Sequence, residues 1–126
     1  MFLFKMKLLS AAAVTGGLLA STAAWADQPS VYDGLCTLSL SEPAYLGVET
    51  GGEQNGWLKY GVTWSATCSA SFDVVFACGG GQGHSYLAAG SYSNYEVCRF
   101  PPTWSTYSIT FGRPGTGIFA SRTGPL

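Results

Sequence analysis

The sequence predicts an all-β fold, a small disulfide-stapled antiparallel β-sandwich or small barrel of about seven short strands. Three observations carry this expectation. The first is alternation between Trp57 and Cys78. Tyr60, Val62, Trp64, Ala66 and Cys68 fall on one face, and Lys59, Thr63, Ser65 and Thr67 on the other. After Ser69-Ala70-Ser71 the pattern restarts with Phe72, Val74, Phe76 and Cys78. Period-two alternation rich in β-branched and aromatic residues marks half-buried strands. The second is punctuation: short apolar runs are separated by Gly and Pro turn residues, and beyond residue 26 no stretch follows a helical period. The third is an even set of four cysteines behind a secretory leader, which reads as two disulfides.

The leader is residues 1–26. Lys5 and Lys7 give it a positive start, residues 8–20 an apolar middle, and Ala24-Trp25-Ala26 small residues at the two positions a signal peptidase reads. Cleavage is expected between Ala26 and Asp27, with release to the periplasm or the medium. As a membrane anchor the apolar run falls at the short end of the roughly 17–25 residues needed, and it holds two glycines and several hydroxyls. Residues 27–126 are then expected to form one all-β domain, with no membrane span in the mature chain. All seven acids lie there, against Lys59, Arg99, Arg113 and Arg122, for a net charge of −3. With no basic stripe, nucleic acid is not an expected partner, and anionic lipid is not attracted.

In order, residues 27–34 read as a polar arm and 35–40 as a strand with Cys36, Leu38 and Leu40 on one face. Ser41-Glu42-Pro43 breaks it. A short strand at 45–49 and a turn-forming loop at 50–56 follow. The runs at 57–68 and 72–78 read as a hairpin across Ser69-Ala70-Ser71. Residues 79–84, Gly-Gly-Gly-Gln-Gly-His, read as a glycine loop, and 86–89 as a strand or one helical turn. Residues 91–100 read as a strand of ambiguous facing, with Tyr95 and Val97 opposing Cys98 and Phe100. Pro101-Pro102 ends it, since proline cannot donate to a ladder. A strand at 104–111 puts Tyr107, Ile109 and Phe111 on one face. A turn at 112–117, a last strand at 118–121 and a loose tail complete the chain.

Cys36, Cys68, Cys78 and Cys98 allow three pairings. No C-x-x-C spacing and a single histidine argue against zinc, and no other metal or cofactor is implied. In the hairpin reading Cys68 sits beside the turn and Cys78 far from it. Bridged Cα atoms need to lie within about 7 Å, so this disfavours Cys68–Cys78. Cys36–Cys68 with Cys78–Cys98 is preferred. Each bridge would close a loop of about twenty to thirty residues and contribute about 3–4 kcal/mol in the chain-entropy model.

No motif names a reaction. The glycine segment lacks the Gly-Lys-Ser/Thr ending of a phosphate-binding loop and fits no register of G-x-G-x-x-G. Gly83-His84-Ser85-Tyr86-Leu87 lacks the final glycine of a nucleophile elbow. A hydrolase would need His84 as base with Ser85, Ser91 or Ser93 and with Asp73 or Glu96, and no third group is seen to orient it. No catalytic residues are therefore assigned, and the chain reads more as a binding protein than as an enzyme.

The aromatics are more suggestive. Residues 27–126 keep three Trp, seven Tyr and five Phe. Trp64 is in phase with the core. Trp57 and Trp104 stand at strand starts, and Tyr86, Tyr92 and Tyr95 crowd the segment after the glycines. With His84, these five are the candidate contact residues, since exposed aromatics with Ser and Gly compose adaptable binding surfaces. The expected function is a secreted, non-catalytic binding protein that contacts a protein partner, as an inhibitor, a toxin-like protein or a surface-interaction protein would. The alternatives are a carbohydrate-binding module stacking its Trp and Tyr on sugars, and a structural subunit of a surface assembly.

Overall fold

A computed structural model describes residues 27–126; the expected leader lies outside the described residues. Nine strands follow in order: β1 (Ser30–Tyr32), β2 (Cys36–Leu40), β3 (Ala44–Val48), β4 (Leu58–Cys68), β5 (Phe72–Cys78), β6 (Gly81–Leu87), β7 (Gly90–Phe100), β8 (Thr106–Gly112) and β9 (Phe119–Pro125). They form two antiparallel sheets that face each other as a sandwich. In the first, β4 is central. β7 runs along one edge of it, and β2 and β3 follow one another along the other edge, with β1 outside β2. The second sheet has the order β6-β5-β8-β9.

The expected inner faces are the buried ones. Cys36, Leu38 and Leu40, then Val62, Trp64, Ala66 and Cys68, then Phe72, Val74 and Phe76, then Ile109 and Phe111 are all buried, with Cys98, Phe100 and Ala120. Two sheets each apolar on one face must cover one another, and these residues are where they meet.

Four expected elements are corrected. β4 and β5 do not form a hairpin: they lie in different sheets, and Ser69-Ala70-Ser71 carries the chain across the core. Alternation states that both runs have a buried face but not that they lie side by side, and Ser-Ala-Ser lacks the residues that favour the positive φ of tight hairpin turns. The hairpin partner of β5 is β6, joined by Gly79-Gly80 with Cys78 opposite Gly81. The glycine segment is therefore a turn followed by an edge strand, and not a loop, and residues 86–87 continue that strand. The arm at 27–34 contains β1, and the expected loose tail belongs to β9, paired with β8 from Phe119 through Pro125.

The preferred disulfides are present, for a different reason from the one that favoured them. Cys36 and Cys68 are direct partners across β2 and β4, with Cα atoms 4.1 Å apart. Cys78 and Cys98 join β5 of the second sheet to β7 of the first, 5.8 Å apart. No cysteine is left free. Two bridges fit an oxidising compartment. Among the described residues no helix is long and apolar enough to cross a membrane.

Candidate functional site

The two lateral sides of the sandwich differ. On one, the chain seals the gap. Gln28 and Ser121 exchange backbone hydrogen bonds of 3.1 and 2.8 Å. Arg122, on the inner face of β9, reaches the carbonyl of Leu40 and the carboxylates of Asp27 (3.1 Å) and Glu42 (3.3 Å). On the other side the outermost strands are β6 and β7. Among the described residues each pairs along one edge only, and the free edges border a cleft of about 500 Å³.

The sequence explains why this side stays open. The inner face of β6 is Gly81, Gly83, Ser85 and Leu87, read from their pairing with β5. Two glycines and a serine leave little side-chain volume to fill the space between sheets. The backbone does not require glycine at 81 or 83: neither has positive φ, and a Cβ at Gly83 would meet nothing within 4 Å. Gly79 is a different case. Its φ is +58°, and a Cβ there would overlap the Arg99 carbonyl oxygen. So the first glycine makes the turn possible, whereas Gly83 leaves room.

Across the cleft, the inner face of β7 reads Tyr92, Asn94, Glu96, Cys98 and Phe100. Its ends are apolar and its middle is polar, and from that middle Glu96 borders the opening. The floor includes Val74, Phe76, Trp64 and Phe111. Trp64 is 4% exposed and stacks on Phe111 with ring centroids 4.6 Å apart. Its indole N–H donates to Glu96 Oε2 at 3.1 Å, and Asn94 Nδ2 donates to the same oxygen at 2.9 Å. Glu96 Oε1 receives no hydrogen bond from the described residues.

Charge is distributed unevenly around this carboxylate. Lys59 and Arg99 both face Glu49, at 3.9 and 2.7 Å, Arg113 faces Asp33 at 2.7 Å, and Arg122 faces Asp27 and Glu42. Every lysine and arginine of the described residues is thus committed. The Arg99 guanidinium hydrogen-bonded to Glu49, with Lys59 nearby, holds that carboxyl below its ordinary value. Burial by itself would raise the Asp33 carboxyl. The Arg113 guanidinium and the Cys36 and Leu35 amides outweigh it, and the net shift is downward. Glu96 has no cationic partner among the described residues.

The sequence candidates do not gather at one place. Trp57 and His84 border the cleft. Tyr86, 77% exposed, lies with His84 on the outer face of the second sheet, their rings 6.1 Å apart. Tyr95 is exposed on the outer face of the first sheet, over Gly61. Tyr92 turns inward against Phe72 and packs on the core. Trp104 lies between β7 and β8 beside Phe100, 43% exposed. His84 Nδ1 lies 3.1 Å from Asp73 Oδ1 in a solvent-exposed pair, and its neighbour Ser85 points to the opposite face of β6. Among the described residues no three of His, Cys, Asp and Glu converge to hold a metal. Glu96, Asn94 and Trp64 are the site residues that sequence reasoning did not select. The available signal was their phase, since 94 and 96 share a face with Cys98 and Phe100.

Compared with protein-family models, curated proteins and solved structures, the chain matches none.

Proposed function

We propose that this chain is a secreted, non-catalytic binding protein that takes an extended segment of a protein partner along its β6–β7 side, as an inhibitor, a toxin-like protein or a surface-interaction protein would. In this reading residues 1–26 are its secretory leader. The observation that carries it is the pair of unpaired strand edges facing each other across an open cleft with an aromatic floor. Free edges offer a row of backbone donors and acceptors to an incoming strand, and alternate side chains of that strand enter the groove. The cleft falls within the roughly 300–1,000 Å³ of sites that enclose ligands.

The test is capture from the producer's secreted proteins, with insoluble polysaccharides offered in parallel. Wild type is compared with Gly83→Phe, which fills the cleft, and with Tyr95→Thr on an outer face. Capture of one protein, lost in Gly83→Phe and kept in Tyr95→Thr, supports the reading. Capture unaffected by Gly83→Phe contradicts it. The carbohydrate alternative gains little, because Tyr86, Tyr95 and Trp104 share no common platform. Assembly of copies has one observation in its favour: β3 leaves one edge unpaired and exposes Tyr45, Leu46 and Val48. Sedimentation of the purified protein over a concentration series tests it.

A further inference from the structure

The β6–β7 cleft has a chemical preference that its shape alone does not give. Building on the reading above, we infer that the partner segment inserts a lysine or arginine side chain into the cleft, its charged head on Glu96 and its aliphatic stem against the accessible edges of Trp64 and Phe76. The buried Trp64 indole needs an acceptor, but a neutral amide would serve it as well as a carboxylate. The choice of a carboxyl side chain over an amide at 96 is therefore not explained by the indole. Glu96 is half-buried, faces an aromatic floor, has one oxygen without a donor and has no ion-pair partner among the described residues, since the Arg99 that lines the same cleft is held by Glu49. A charge partly removed from water is costly unless paired. The missing cation comes from outside in this account. Lysine and arginine suit the site because a long apolar stem lies against aromatic rings while the head remains polar. The head forms a charge-assisted hydrogen bond to the free oxygen, stronger than a neutral one.

The experiment uses the disulfide-bonded protein as the secreting cell releases it, panned against a displayed library of random decapeptides. Wild type, Glu96→Gln and Glu53→Gln are panned side by side. Glu96→Gln keeps an acceptor for the indole, and near-ultraviolet circular dichroism checks that Trp64 remains packed. Glu53→Gln removes an equal charge from an exposed turn. The expected result is enrichment of lysine or arginine at one fixed position in peptides that protect β6 or β7 from amide exchange. That preference should fall about tenfold or more in Glu96→Gln and persist in Glu53→Gln. Peptides that protect β6 or β7 but carry no enriched basic residue overturn the inference and leave the binding reading intact. So does a basic preference equally weakened by Glu53→Gln, which would reflect net charge alone. Enrichment of no peptide, or only of peptides protecting other strands, overturns the inference and the reading together.

Discussion

The Trp64 indole N–H meets Glu96 Oε2 at 3.1 Å, so a ring stacked in the core ends on a carboxylate at the wall of an open cleft. This bond makes the role of Glu96 as an acceptor for the indole separable from the binding role proposed for its charge. Glu96→Ala leaves the indole without its acceptor and should cost about 1–2 kcal/mol, whereas Glu96→Gln should stay within about 0.5 kcal/mol of wild type. Urea unfolding followed by tryptophan fluorescence measures both. Equal losses in the two variants would mean that the charge, and not the acceptor, supports the fold.

The glycines after Cys78 should respond in opposite directions. Gly83→Ala places a methyl group in open space at an ordinary strand conformation, and should stabilise by about 0.5–1 kcal/mol through the unfolded chain. Gly79→Ala meets positive φ and the Arg99 carbonyl, and should destabilise by about 1–3 kcal/mol. The denaturation midpoints of the two variants give the comparison.

Much of the buried pattern was legible in the sequence, because burial imposes period two whatever the strand's neighbour. Val62, Trp64, Val74, Phe76, Ile109 and Phe111 all lie on their expected faces. Neighbour identity was not legible: the same alternation serves β4 and β5 whether they pair or face each other across the core. β6 was hidden because Gly81 and Gly83 have no side chains to alternate. β9 was hidden because Arg122 is a charged residue on the same inner face as Ala120, held by Asp27, Glu42 and the Leu40 carbonyl. At the site, Trp57 and His84 were found at the cleft, while Trp64 read as core because alternation does not reveal where a core opens to solvent.

Acid should weaken the fold through Asp33. Its side chain is fully buried and accepts hydrogen bonds from the Leu35 and Cys36 amides, at 3.0 and 2.8 Å, and from Arg113 at 2.7 Å. Its pKa is lowered from an ordinary 3.8. A carboxyl whose folded pKa is depressed contributes stability that is fully present above its unfolded value and is lost as pH falls through the folded value. Stability should therefore decline on acidification below 3.8, and Asp33→Asn should flatten that decline. The same substitution should cost about 2–3 kcal/mol at neutral pH. Denaturation midpoints over a pH series check both the slope and the cost.

The two disulfides should differ in what they hold. Their sequence separations, 32 for Cys36–Cys68 and 20 for Cys78–Cys98, give each about 3–4 kcal/mol in the chain-entropy model. Replacing Cys78 and Cys98 by Ala should also speed amide exchange in β6 and the second half of β7, because that bridge is the one disulfide between the two sheets. Replacing Cys36 and Cys68 should leave β6 near wild type relative to the global loss.

Amide hydrogen exchange of the protein with and without its captured partner decides whether the β6–β7 side holds that partner. Protection should be gained along β6, residues 81–87, and β7, residues 90–100, with a shift of the Trp64 indole resonance. Protection confined to β3 or to the Trp104 end, with β6 and β7 unchanged, would contradict binding there.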